Sequence, residues 1–431
     1  MTSTRVLTGI KPSGTPHLGN YVGAIRPTVR ASREAQVDSF LFLADYHAMI
    51  STHEPARLQR STLEIAATWI ACGLDPERVT FYRQSDIPEI PELTWFLTCV
   101  CGKGLLNRAH AYKAMLDKNA AAGAEPDEGV TAGLYMYPVL MAADILMFNA
   151  HQVPVGRDQV QHIEMARDLA SGFNHRYGEH FTLPEAVIDD AVATLPGLDG
   201  RKMSKSYDNV IPLFAPSEHL RKLIMGIVTD STPPGQAKAT DGSALFQIFQ
   251  AFATADETAA LAQAYANGIA WGEAKQILFE RIDREVAPMR ATYEALMAQP
   301  ERVEAMLLDG ARKARAVATP FTARVRHAVG LRPLQSGQPQ RTASSDKVAL
   351  PSFKQYREHD GLFYFKLADG KGRVLLQSTG FASPKDAGQA IAQLKTQGYG
   401  ACNHLHPHLS LPPDASPAMV EQALHAMRAA E

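Results

Sequence analysis

An α/β fold built on a doubly wound parallel sheet, followed by a helical domain and a small α+β C-terminal domain, is predicted by three features of this sequence. Over residues 1 to about 196, short apolar runs such as 6–10 and 40–44 alternate with longer stretches of helical periodicity. From about 215 to 333 the strand-like runs stop, and Ala/Leu-rich helical segments are broken near Pro233-Pro234 and Pro300. After a polar Gln/Ser/Pro linker at 334–349, strand-like runs return in residues 350–431.

The first strand leads into Lys11-Pro12-Ser13-Gly14-Thr15-Pro16-His17-Leu18-Gly19-Asn20, and a helix is expected from near Tyr21. A strand, a Gly/Pro loop and a helix start leave backbone N–H groups and a helix dipole free for phosphate. Gly14 and Gly19 carry no Cβ, so a base or phosphate can approach the backbone closely. Asp45-Tyr46-His47 ends the second strand, where ligand-facing residues gather in open α/β sheets. The segment 119–129 is rich in Ala, Gly and Asp and reads as a surface loop. Residues 137–146 then read as a helix with Leu140, Met141, Asp144 and Ile145 on one face. A carboxylate on that apolar face requires a partner, which can be structural or an indole N–H or phenol O–H of a ligand. Farther on, Lys202-Met203-Ser204-Lys205-Ser206 sets two lysines three apart with hydroxyls between them, after Gly197 and Gly200. Such a loop suits a clamp on a polyphosphate leaving group. Alone, the first loop is also an ordinary connecting turn, and the second is also an ordinary solvated surface.

Together and in this order, the two strings resemble the paired signatures of class I aminoacyl-tRNA synthetases. The HIGH signature is written His17-Leu18-Gly19-Asn20, and the second signature is complete from Lys202 to Ser206. Met141 resembles the tryptophanyl branch, whereas tyrosyl enzymes usually carry Gln there. Val153 and Val155 match tryptophanyl pocket walls. A thioether and two valines suit a flat indole with one polar handle. Gly156-Arg157-Asp158-Gln159-Val160-Gln161-His162 is similar to the family's GEDQxQH element, with Arg157 in place of Glu. Lys11 likewise replaces a frequent Gln. Both departures add positive charge near the expected nucleotide.

The resemblance implies a Rossmann-like catalytic domain over 1–214, an anticodon-binding helical domain over 215–333, and a C-terminal extension over 350–431 of open role. It implies that tryptophan attacks the α-phosphorus of ATP, and that the activated acyl group then passes to the 3′ end of tRNA(Trp). His17, Asn20, Lys202 and Lys205 would be catalytic, assisted by Mg²⁺. Lys11, Pro12, Ser13, Gly19, Asn20, Gly156, Arg157, Asp158, Leu195, Lys202, Met203, Ser204, Lys205 and Ser206 would hold ATP. Tryptophan would meet Leu7, His47, Tyr137, Met141, Asp144, Val153, Val155 and Gln159. A homodimer is also implied. Tyrosine activation, adenylyl transfer to another small molecule, and RNA binding without catalysis are the other readings.

The formal net charge of −2 argues against a chain that is basic throughout. Positive charge is local: residues 311–333 hold Arg312, Lys313, Arg315, Arg324, Arg326 and Arg332 without an acid. That run reads either as a solvated helix face or as a basic stripe for RNA. No 18-residue apolar span and no signal-like N-terminus are evident, so a cytoplasmic location is expected. Cys72, Cys99, Cys101 and Cys402 lack a zinc spacing and read as buried thiols in a reducing compartment. His404, His406 and His408 would share one face of a strand, but Pro407 interrupts it, and no metal is expected. In the last unit, strands are predicted at 363–367 and 374–377, with a helix at 384–397.

Overall fold

A computed structural model describes residues 3–188, 194–331, 350–370 and 372–429. They fall into two compact units that divide near residue 334. The expected linker 334–349 and Arg332 lie outside the described residues.

In the first unit, β1 (Thr4–Ile10), β2 (Val37–Leu43), β3 (Thr80–Arg83), β4 (Gln152–Pro154) and β5 (Glu185–Val187) form one parallel sheet in the order β3-β2-β1-β4-β5. The chain winds outward through β2 and β3, then crosses back to β4. The switch point therefore lies between the C-terminal ends of β1 and β4, where open sheets leave a crevice for ligands. Alternation along the strands fills both faces: Leu41, Leu43 and Phe81 enter one core, whereas Phe40, Phe42 and Tyr82 enter the other.

The helix after β1 starts at Leu18, one turn earlier than expected, and passes through a π-helical turn (Tyr21–Ile25) before ending at Ala31. Its early start has a local cause. The His17 side chain caps the backbone of Asn20, and the Asn20 side chain returns to the His17 N–H. The expected loop at 119–129 is shorter too, because the helix His110–Ala122 runs into it and ends at Gly123 with φ of 67°. Buried Asn119 donates to the carbonyls of Pro126 at 2.9 Å and Glu128 at 2.8 Å, tying the remaining loop to the helix. The expected helix at 137–146 is longer, running from Ala132 to Met147 behind a Thr131 cap.

The helices from residue 217 onward share a core with one face of the sheet. Leu220, Phe249, Leu278 and Ile282 cluster with Leu41, Leu43 and Phe81. The last helix of the unit, Pro300–Ala328, runs along edge strand β3. Val303 and Leu307 pack in one core, while Ala311, Ala314 and Phe321 pack in the other. Gly310 sits at the crossing, where a Cβ would come 1.7 Å from the Phe81 carbonyl oxygen. The helix thereby covers a strand edge that would otherwise present open hydrogen-bonding groups.

That placement explains the basic run. Lys313 donates to the carbonyls of Pro76 and Glu77, Arg315 pairs with Glu89, Arg326 with Glu92, and Arg312 with Asp309. Arg324 lies over the Phe321 ring. Five of these cations thus have partners within the unit, several of them fastening the helix to the elements around β3. The cysteines meet expectation only in part: Cys402 is buried, Cys72 and Cys101 are half-buried, and Cys99 is exposed.

The second unit is a four-stranded antiparallel sheet, β6 (Ser352–Arg357), β7 (Phe363–Ala368), β8 (Val374–Ser378) and β9 (Leu409–Ser410), in that spatial order. Helices Pro384–Gln397 and Pro417–Arg428 cover one face. Phe365, Leu367, Leu376, Leu394, Val420 and Leu424 form its core. The histidine segment, whose strand Pro407 interrupts, is a 3₁₀ turn, Asn403–His408. His404 bonds Gln393, His406 bonds the Tyr399 carbonyl, and His408 bonds Thr379, so the three rings diverge.

Candidate active site

The first signature loop leaves β1 and closes against the second through backbone pairing. Leu18 N–H donates to the Ile211 carbonyl at 3.0 Å, and Leu213 N–H donates to the Pro16 carbonyl at 3.0 Å. Residues just after the second loop are thereby laid beside the start of the first helix. Lys205 completes the junction, its Nζ donating to the Ser13 carbonyl at 3.1 Å. Gly14 has φ of 101°, and its Cβ position would lie 3.4 Å from that ammonium. A side chain there would be strained and crowded.

The second loop is pinned from beneath. Met203 is buried beside Leu18 and Leu195, and its N–H donates to the Leu195 carbonyl at 2.8 Å. Buried Asn209 accepts from Ser204 N–H at 2.8 Å and donates to Asp199 at 2.7 Å. Lys202, Lys205 and Ser206 remain exposed above this anchor. Lys11 donates to Ser51 at 2.9 Å. Loss of hydration against the neighbouring loop lowers the ammonium pKa of both Lys11 and Lys205.

Burial, then the nearby Lys205 charge, pulls the His17 imidazole down to about 4, so it is neutral at pH 7. Its Nδ1 accepts from Asn20 N–H at 3.3 Å. In the neutral ring the proton then sits on Nε2, which makes that nitrogen a donor.

The other wall of the crevice is built around Asp144. This carboxylate is fully buried, accepting from Gln84 Nε2 at 2.8 and 2.9 Å and facing His47 Nε2 at 2.9 Å. Burial raises its pKa, an effect opposed by His47 and Gln84. Leu7, Met141, Val153 and Val155 share one apolar cluster around the same helix. From Tyr137 a hydrogen-bonded chain runs outward: Tyr137 OH meets His162 Nε2 at 2.6 Å, and His162 Nδ1 meets Gln159 Oε1 at 3.0 Å. Gln159 Nε2 then donates to Asp158 at 2.8 Å. Burial lowers the His162 pKa, so the ring is neutral. Donating from Nδ1 to the Gln159 oxygen leaves its Nε2 to accept the Tyr137 hydroxyl. The chain therefore joins the apolar pocket to Gly156, Arg157 and Asp158, which stand at the exposed mouth beyond β4.

Gln84, His162 and Asn209 are the residues that sequence reasoning missed. Gln84 had a usable signal, because it follows the C-terminal end of β3 as His47 follows that of β2. His162 stood inside the quoted motif but was not assigned a role. Asn209 had no signal, since its importance depends on how the loop folds back upon it.

A parallel sheet with the two loops joined at its switch point defines an adenylate-forming class I synthetase architecture. The sequence pattern described as tRNA synthetases class I (W and Y) matches residues 1–286, and the chain belongs to that family. Tryptophan–tRNA ligase of Xanthomonas axonopodis pv. citri is 69% identical over 396 residues, covering 91% of this chain and 92% of the relative. That of Xylella fastidiosa (strain 9a5c) is 62% identical over 434 residues, covering 99% of both chains. Among solved structures, tryptophanyl-tRNA synthetase from Campylobacter jejuni, complexed with ADP and tryptophan, is 41% identical with a TM-score of 0.70. That match covers 76% of this chain and all of the other.

Proposed function

We infer that this chain is a tryptophan–tRNA ligase, which activates tryptophan with ATP and transfers it to tRNA(Trp). The observation that carries the reading is the closure of the two signature loops by Lys205 on Ser13, opposite a pocket whose buried acceptor is Asp144. The indole fits the Leu7, Met141, Val153 and Val155 cluster, with Asp144 as acceptor for its N–H. Gln84 and His47 hold that carboxylate in place, and Tyr137 and Gln159 lie on the side leading to the nucleotide.

In the first step a tryptophan carboxylate oxygen bonds to the α-phosphorus as the α–β phosphate bond breaks, giving tryptophanyl-adenylate and pyrophosphate. The carboxylate is ionised at neutral pH, so no general base is needed. Rate comes from positioning and from donors aimed at the developing charge. His17 supplies its Nε2–H, Asn20 its amide, and Lys202 and Lys205 their ammonium groups. Lys205 exchanges the Ser13 carbonyl for a phosphate oxygen. Asp158 faces the ribose, with Gly156 and Arg157 beside it, and Lys11, Pro12, Ser13 and Gly19 line the nucleotide. In the second step the terminal ribose hydroxyl of tRNA takes the acyl group and AMP leaves.

Among the described residues, no group of His, Cys, Asp or Glu side chains forms a cage for a metal ion such as Mg²⁺. Glu64, the carboxylate within electrostatic reach of Lys205, already accepts from Thr15 at 2.9 Å and Arg60 at 2.7 Å. A magnesium ion arriving with ATP would be carried by phosphate oxygens, and no step above depends on it.

The helical residues 215–333 are proposed to bind the tRNA anticodon, although several cations of the basic run also pair within the unit. A homodimer and a cytoplasmic location complete the proposal. Among the described residues, no helix is long and apolar enough to cross a membrane. The test is amino-acid-dependent ATP–pyrophosphate exchange without tRNA, using tryptophan, tyrosine and phenylalanine in parallel. Exchange with tryptophan alone is expected, and exchange with tyrosine would overturn the pocket assignment.

A further inference from the structure

The C-terminal sheet has one covered face and one open face, and the open face carries a distinctive set of side chains. Alternation puts Phe353, Phe365 and Leu367 toward the two helices. It puts Lys354, Tyr356, Tyr364 and Lys366 on the opposite side, in two adjacent rows. Lys354 pairs with Lys366, which pairs with Gln377, which pairs with Ser410, so one polar row crosses all four strands. Tyr356 pairs with Tyr364 in the next row.

The two tyrosine rings lie 5.8 Å apart and within 19° of parallel. Neighbours hold both. Gln377 Nε2 donates to the Tyr356 oxygen at 3.0 Å, Tyr364 OH donates to Asp360 at 2.5 Å, and Lys366 Nζ stands 5.7 Å from the Tyr356 ring centre. Lys354 and Gln377 are exposed, and both tyrosines are half-exposed. Aromatic rings left half-exposed on a sheet contribute little to the fold's own core, which is complete on the other face. Paired rings flanked by lysines are instead suited to unstacked bases and their phosphates.

We propose that this face, centred on Tyr356 and Tyr364 with Lys354 and Lys366, binds single-stranded RNA. The tyrosines stack on bases and the lysines meet the backbone. Single-stranded rather than duplex RNA is specified because rings on a sheet can reach only bases that are not already stacked in a helix. The acids near Tyr364, Asp360 and Glu358, lie in the turn between β6 and β7. Both charged residues on the strands of this face are lysines, and that charge favours a polyanion over a protein partner. The proposal goes beyond adenylation, which needs none of these residues.

The experiment uses the full chain and a short fluorescein-labelled oligouridylate, which has no adenine to enter the ATP site. Anisotropy should report binding that weakens at least about tenfold in Y356A/Y364A, as expected for two lost stacking rings. Y356F/Y364F should keep most of the affinity, because stacking needs the ring rather than the hydroxyl. K354E/K366E should also weaken binding and flatten its dependence on salt. Tryptophan-dependent exchange should stay unchanged in all three, which separates this proposal from the assignment of the active site. Alanine and charge-reversal variants that bind like the unmodified chain would overturn it. So would equal competition by duplex RNA, or a change in solution mass without a change in RNA binding, which would mark the face as a self-association surface.

Discussion

At the Asp144 end of the site the acceptor itself is fully buried and held by neighbours, whereas around Lys205 the working charges are exposed and only their supports are buried. Asp144 is held by Gln84 and His47 at 2.8–2.9 Å inside an apolar shell. Lys205 hangs on one backbone carbonyl, above a loop anchored by Met203 and Asn209. Two demands account for the difference. Choosing an amino acid requires a preformed acceptor whose unpaired state is costly, so wrong ligands are rejected. Stabilising a leaving group requires cations that can follow charge as it moves along a phosphate chain.

The largest effect should come from Lys205→Ala. The exchange rate is expected to fall on the order of a hundred- to a thousandfold, while tryptophan affinity measured by equilibrium binding changes little. Parallel losses in both would erase the contrast between the two ends. Asp144→Asn reverses the pattern, weakening tryptophan binding by about 10- to 100-fold with ATP affinity nearly unaltered. Titration of each ligand separately would check it.

A pH measurement sharpens the electrostatic side of the contrast. His17 is held at about 4, below its ordinary value of 6.5. Between those values the unfolded chain binds a proton that the folded chain does not, so this residue's contribution to stability is present above pH 6.5. It is lost as pH falls from 6.5 toward 4. Thermal unfolding from about pH 7 to about pH 5 should therefore cost the unmodified protein more than His17→Gln. Parallel curves for the two proteins would mean that the ring is not kept neutral. The smallest effect is expected from Tyr137→Phe, which removes the first link of the chain to His162. Tryptophan binding should weaken by about 0.5–1.5 kcal/mol, read by calorimetry; no change would leave the chain without a role in the pocket.

Local signals made much of the site legible. The strand–loop–helix around His17, the lysines of the second loop and the acid on the helix at Asp144 each bear their chemistry in sequence order. The helix at 137–146 was visible from periodicity alone, although the structure extends it to Ala132–Met147. Failures arose where a partner lay far along the chain. The partners of the basic run at 311–333 were hidden because Glu89 and Glu92, which receive Arg315 and Arg326, are more than 200 residues away. Asn119 looked like a loop residue because its acceptors are carbonyls that only the folded loop supplies.

Residue types and their spacing thus determined the fold class, the two signature loops and the placement of an acid among apolar residues, because these follow from short-range backbone preference and period. The tertiary structure alone decided which loop meets which, that His17 is neutral with its proton on Nε2, and that Gln84 and His47 hold Asp144. It also decided that the last helix of the first unit covers a sheet edge. Hydrogen bonds and pKa shifts depend on distance and burial in space, and spacing along a chain specifies neither until the chain has folded.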